Sequence, residues 1–288
     1  MCLHYNNETH IMRLYEYKFI MTYLQKLQAV VKKNNSNVVI GLDSDITKIP
    51  KFFLKYADPV YEFNHYIMSS TKDIVAGYKL QMAFYESARG YKTVERTLKY
   101  IPDNMLKICD AKRGDIGNTD EMYAKAFFDE MNFDAITFHP YMGYDSLEPF
   151  IARKDKLTYV LALTSNEGSN DFQKLKVGKK FLYEKIVEKC VEWNKNGNIG
   201  FVFGSNYVKE IGKYSKALPD FPMLIPGVGS QHGEAGSLLK NLHNKNFVIN
   251  SSRGIIYSAP IDTDRKTFER IVREKTIELN NQINSINN

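Results

Sequence analysis

Eight short apolar runs, each followed by polar residues, proline or glycine and most separated by stretches of helical pattern, confine this chain to a largely parallel α/β arrangement. The runs are Val38–Leu42, Ile74–Tyr78, Met105–Cys109, Ala135–Phe138, Leu157–Leu163, Ile199–Phe203, Met223–Ile225 and Phe247–Ile249. They alternate little between apolar and polar residues, which suits strands buried on both faces of a parallel sheet. Helices are predicted over Lys18–Lys33, ahead of the first strand, and over Asn118–Glu130, Phe181–Asn196, Tyr207–Lys216, Gly233–Asn244 and Arg265–Asn280. Asn118 or Thr119 is the expected cap of the second. Eight strands alternating with helices in 288 residues predict an α/β fold, a (β/α)8 TIM barrel with an N-terminal helix before the first strand. A doubly wound open sheet is the alternative. No repeat and no Pro/Gly/Ser linker divides the chain. Residues 18–280 therefore read as one domain, between an N-terminal extension (1–17) and a polar tail (281–288) expected to fray.

Composition narrows the class. At 43% hydrophobic and 25% charged residues the chain is neither disordered nor collagen-like. No run approaches the ~18 apolar residues of a membrane span. The start has no apolar signal core and carries Glu8 and Glu16, so a cytoplasmic protein is expected. The net charge of +6 is scattered along the chain, which reads as a solvated basic surface and not as a nucleic-acid interface. Cys2, Cys109 and Cys190 form no C-x-x-C, and the six histidines form no H-x-H or H-E-x-x-H. Neither disulfides nor a metal site is predicted. Cys109 reads as a small buried hydrophobe.

In a barrel, chemistry gathers where the strands end. Asp43 follows the first run, and Lys79 and Gln81 follow the second. The densest cluster, Asp110-Ala-Lys112-Arg-Gly-Asp115-Ile-Gly-Asn118-Thr119, follows the third. Thr164, Ser165 and Asn166 follow the fifth, Pro226-Gly-Val-Gly-Ser-Gln231-His-Gly233 the seventh, and Asn250-Ser-Ser-Arg253-Gly254 the eighth. On an extended strand Asp110 and Lys112 face the same way, into the barrel mouth. Acids packed around an ammonium hold it and themselves charged. The glycine-rich seventh turn and Arg253 make a phosphate site, since backbone N–H groups and a planar guanidinium both favour an anion. Gln231 can add an amide donor there and sit as a lid. The set describes a phosphorylated small molecule with its reacting part over Lys112. His139, before Pro140, reads as structural or interface-lining; Tyr141-Met142-Gly143-Tyr144 reads either as a dimer contact or as simple packing.

These motifs together resemble the orotidine 5′-phosphate decarboxylase family: GLDSD (41–45), GYKLQ (77–81), DAKRGDIGNT (110–119), TSN (164–166), PGVGSQ (226–231) and NSSRGI (250–255). The likeness spans about residues 18 to 280 and is nearest to a branch with a lengthened barrel. It implies cofactor-independent decarboxylation of orotidine 5′-phosphate to uridine 5′-phosphate, in pyrimidine biosynthesis, with no metal. By the same resemblance Lys112 gives its proton to C6, with Asp110, Asp115 and Lys79 in the catalytic network. Asp43, Lys79 and Gln81 contact the ribose, and Thr164, Ser165 and Pro226 contact the base. Gln231, Ser252 and Arg253 lie at the phosphate side. The resemblance further implies a homodimer in which Asp115, Ile116 and Thr119 reach the partner's site, and an enzyme monofunctional for this step, with any orotate phosphoribosyltransferase a separate protein. His232 departs from the usual glycine after the phosphate-loop glutamine. The competing readings are a magnesium-dependent sugar-phosphate decarboxylase or synthase on the same barrel, and a non-catalytic nucleotide-binding protein.

Overall fold

Short runs of branched and aromatic residues build the strands of a closed barrel. The computed structural model describes residues 21–228 and 232–287. The strands are β1 (Val38–Leu42), β2 (Gly77–Gln81), β3 (Leu106–Arg113), β4 (Ala135–Phe138), β5 (Leu157–Leu163), β6 (Lys176–Val177), β7 (Lys180–Phe181), β8 (Ile199–Phe203), β9 (Met223–Pro226) and β10 (Phe247–Ser251). Eight of them pair in parallel in the order β1-β2-β3-β4-β5-β8-β9-β10, and β10 returns to β1 with Val38 beside Ile249. That pairing removes both sheet edges and excludes the open sheet. β6 and β7 form a small antiparallel hairpin outside the barrel. Every residue of β1, β8 and β10 is buried, as strands between a barrel interior and a helical coat must be.

The first described helix, Tyr23–Asn34, is capped by Thr22, whose hydroxyl accepts from Gln25 N–H while the Gln25 side chain accepts from Thr22 N–H. The helix covers the barrel's N-terminal end. Leu27 and Val30 are buried, the Tyr23 and Tyr159 hydroxyls are bonded at 2.8 Å, and Lys26 pairs with Asp134 at 2.7 Å. The opposite end stays open for the site. Among the described residues no helix is long and apolar enough to cross a membrane.

Several elements differ from expectation. β2 starts at Gly77 instead of Ile74, so Lys79 and Gln81 belong to the strand. β3 runs on through Arg113. The helix expected from Asn118 starts at Gly117, with Ile116 as its unbonded cap residue; neither Asn118 nor Thr119 caps it. Helices Pro59–Thr71, Tyr91–Tyr100 and Tyr144–Ile151 carry no sequence-based expectation. The last helix does not end at Asn280 but continues to Asn287, so residues 281–287 are not a frayed tail. The apolar stripe persists there through buried Leu279 and Ile283, Ser36 donates to Asn280 at 2.7 Å, and Asn284 donates to the Asn35 carbonyl at 3.0 Å. Residues 1–17 lie outside the described residues.

Candidate active site

The barrel mouth collects a row of alternating charges from three neighbouring strands. Register makes the row: Gly41 of β1 lies beside Lys79 of β2, and Gln81 of β2 beside Asp110 of β3. Lys79 Nζ lies 3.5 Å from Asp43 and 2.9 Å from Asp110 Oδ2. Lys112 Nζ lies 2.6 Å from Asp110 Oδ1. Gln81 donates to Asp110 Oδ2 at 3.0 Å and the Thr137 hydroxyl to Oδ1 at 2.8 Å. Each Asp110 oxygen thus accepts one ammonium and one neutral donor, which fills the usual capacity of a carboxylate.

Burial alone would push the Asp110 carboxyl up, but Lys79 and Lys112 outweigh it and hold it far below the usual carboxylate range. Burial alone would likewise push Lys79 down, and Asp110 with Asp43 raises it instead. Lys79 is 3% exposed and could not stay charged there without both acids.

Lys112 does not sit on a regular extended strand. Between the pairs Cys109–Ile136 and Arg113–Phe138 the register shifts, with four residue steps on β3 matching two on β4. Lys112 takes φ +47° in this bulge, a left-handed conformation uncommon for a side-chain-bearing residue. Its N–H donates to Thr137 Oγ1 at 3.0 Å. Arg113 braces the other side, donating to the Ala111 carbonyl at 3.0 Å and pairing with Glu86. His139 packs on Phe138 and donates its N–H to the Arg113 carbonyl at 3.0 Å, a structural place.

Two adjoining hollows of about 240 Å³ each open over this row. One holds Asp43, Gln81, Ser252 and Arg253; the other holds Lys112, Thr164 and the apolar side chains Leu161, Val202 and Leu224. Lys79, Asp110, Ser165 and Pro226 line both. The hollows suit a ligand with an anionic end toward Arg253 and a flat, partly apolar end toward Lys112. Ser252 donates to the Gly41 carbonyl at 2.9 Å, and Gln173 clamps Thr164, accepting from its N–H at 2.8 Å and donating to its hydroxyl at 2.7 Å. Gly204 lets Ser165 approach, since a Cβ there would lie 2.8 Å from the Ser165 nitrogen. Gly227 takes φ +96° to turn the chain away from β9.

Other candidates are not assembled within the described residues. Asp115 accepts from the N–H of Ile116 at 2.8 Å, so the Lys112 ammonium is paired with Asp110 and not pinned between two acids of its own chain. Ile116 and Thr119 are exposed beside it. Gln231 and the side chain of His232 lie outside the description. Sequence reasoning missed Thr137, the lone polar residue in an apolar strand, and Gln173, which no sequence signal marks. A larger hollow of about 950 Å³, lined by Asp45, Asp58, Arg89 and Tyr91, contains none of the charged row; converging charge, not volume, marks the site. Cys109 and Cys190 are buried free thiols, and burial pushes both up, Cys190 to about 12.

Comparison with known proteins agrees with this geometry. The family model described as "Orotidine 5'-phosphate decarboxylase / HUMPS family" matches residues 36–267. The chain is 42% identical to orotidine 5′-phosphate decarboxylase of Christiangramia forsetii over 269 residues, 91% of this chain and 97% of that protein. It is 42% identical to the enzyme of the same name from Dehalococcoides mccartyi over 247 residues, 83% of this chain and 90% of the other. The solved OMP decarboxylase of Leishmania donovani superposes with a TM-score of 0.78 at 32% identity, covering 92% of this chain and 98% of that one. The charged row at the mouth of a closed barrel and these likenesses lead to one conclusion: the chain belongs to the orotidine 5′-phosphate decarboxylase family.

Proposed function

We propose that this protein decarboxylates orotidine 5′-phosphate to uridine 5′-phosphate and CO2 without a cofactor, and that Lys112 delivers the proton that replaces the carboxyl group. The observation that carries the reading is the Asp43–Lys79–Asp110–Lys112 row facing the same mouth as Arg253. Breaking the C6–carboxyl bond leaves an electron pair on C6 in the ring plane, where the ring π system gives it no relief. Help must come from fixed positive charge. The Lys112 ammonium, held by Asp110, supplies that charge; its N–H proton then passes to C6, and the neutral amine recovers a proton from solvent. Repulsion between Asp110 and the substrate carboxylate would be relieved as CO2 departs. Asp43, Lys79 and Gln81 hold the ribose, Thr164, Ser165 and Pro226 the base, and Gln231, Ser252 and Arg253 the phosphate side. Phosphate binding at that remote end serves the reacting end.

The rival sugar-phosphate reading needs Asp110 as a ligand of magnesium. Its oxygens already accept from Lys79, Gln81, Lys112 and Thr137, and two ammonium groups would repel the ion. In buffer containing EDTA, the orotate absorbance of orotidine 5′-phosphate should be lost at the same rate as without chelator, with uridine 5′-phosphate as product. Loss of activity restored by magnesium would favour the rival.

We further propose that the working form is a homodimer whose Asp115, Ile116 and Thr119 complete the partner's site. Ile116 is 60% exposed, helix Gly117–Ala124 exposes Met122, and the short helical turn Pro140–Met142 exposes Met142 and 90% of Tyr141, an apolar surface that favours covering. Lys112→Ala and Asp115→Ala should each be nearly inactive, and co-refolding the two should restore part of the activity through hybrid dimers. No restoration would place Asp115 in its own chain's site. Buried free thiols at Cys109 and Cys190 support a cytoplasmic enzyme.

A further inference from the structure

We infer that Thr137, on β4, is a positioning residue that fixes Lys112 at both of its ends. One hydroxyl makes both links. It donates to Asp110 Oδ1 at 2.8 Å, the oxygen that receives the Lys112 ammonium at 2.6 Å, and it accepts the Lys112 backbone N–H at 3.0 Å. The contacts close a ring that runs from the lysine main chain through Thr137 and Asp110 back to the lysine amine.

The need for such a group follows from the bulge. Where β3 slips against β4, the Lys112 N–H faces the Thr137 side chain instead of a carbonyl of the sheet. That contact is partly buried, and a backbone donor left without a partner there is costly. Lys112 also sits at φ +47°, which persists only where the surroundings impose it. Thr137 is 2% exposed and stands on the strand next to the bulge, so it imposes that geometry from a rigid element. Its single proton is committed to Asp110, which leaves a lone pair directed at the Lys112 N–H. The Arg113 contact to Ala111 steadies the bulge from its far side but does not touch the carboxylate. Among the described residues, Thr137 alone links the Lys112 backbone N–H to the Asp110 carboxylate.

This inference rests on the decarboxylase reading, and the test separates the two. Thr137→Val keeps the side-chain shape and removes the hydroxyl; Thr137→Ser keeps the hydroxyl. Turnover of orotidine 5′-phosphate and calorimetric binding of uridine 5′-phosphate are measured for both variants and wild type. Thr137→Val should lower kcat about 10–100-fold, the size expected when a buried donor loses its partner, with KM and product affinity nearly unchanged. Thr137→Ser should recover most of kcat. Should the valine variant not fold, Thr137→Cys, a weaker donor and acceptor, should fall between serine and the Lys112→Ala level. A Thr137→Val enzyme with wild-type kcat overturns the inference. So does a serine variant as impaired as valine, or equal losses in kcat and product affinity. A wild-type protein that leaves orotidine 5′-phosphate unchanged ends the decarboxylase reading and this inference with it, whereas a fully active Thr137→Val ends this inference alone.

Discussion

Lys112→Ala should reduce kcat for orotidine 5′-phosphate by about 10⁴-fold or more, roughly 5.5 kcal/mol of lost transition-state stabilisation, while uridine 5′-phosphate still binds. Two effects vanish together: the positive charge opposite C6 and the proton that ends the reaction. Neither is used by the product, which has lost its carboxyl group, so binding and turnover should separate. The fold should survive. The Lys112 side chain is 46% exposed, so truncation opens no core cavity, and Asp110 keeps Lys79, Gln81 and Thr137 as partners. Spectrophotometric turnover, product titration and a thermal melt check the three parts. Near-normal turnover would remove Lys112 from its role.

Arg253→Ala should weaken uridine 5′-phosphate about 100-fold, roughly 2.7 kcal/mol, and leave uridine nearly unaffected. Arg253 is separated from β10 by one residue, is exposed, and lines the hollow that also holds Asp43, Gly227 and Gly254. A guanidinium there can grip two phosphate oxygens at once, and the alanine cannot. If phosphate binding also serves the reacting end, kcat should fall as well as affinity. Parallel titrations of nucleotide and nucleoside decide it. Equal losses for both would move the phosphate site elsewhere.

The sequence spelled out much of this architecture because the barrel strands are written in branched residues between turns. The runs at Val38–Leu42, Ala135–Phe138, Leu157–Leu163 and Ile199–Phe203 match β1, β4, β5 and β8 residue for residue. β2 was harder, because its inward face carries Lys79 and Gln81, and polar residues at a barrel mouth interrupt the apolar run that signals a strand. The helix at Pro59–Thr71 had a readable start: Asp58 accepts from Tyr61 N–H at 3.0 Å, with proline at the first helical position. The C-terminal helix overran its expected end because its apolar stripe continues through buried Ile283 and Asn284 donates to the Asn35 carbonyl.

The motifs located the charged row, but its geometry was not legible. Period-two alternation places Asp110 and Lys112 on one face, yet they meet through a bulge with a left-handed lysine, which no local pattern announces. The contacts of Thr137 and Gln173 depend on strands and loops brought together only by closure of the barrel. Asp115 accepts from the Ile116 N–H while Lys112 pairs with Asp110, and Ile116 and Thr119 are exposed.

The central claim is that the Lys112 ammonium meets the ring carbon that loses its carboxyl group, and a crystal structure with uridine 5′-phosphate bound tests it most directly. The account predicts Lys112 Nζ about 3 Å from C6, with the phosphate against Arg253. A nucleotide whose C6 lies beyond reach of that amine, or whose phosphate sits away from Arg253, would contradict it.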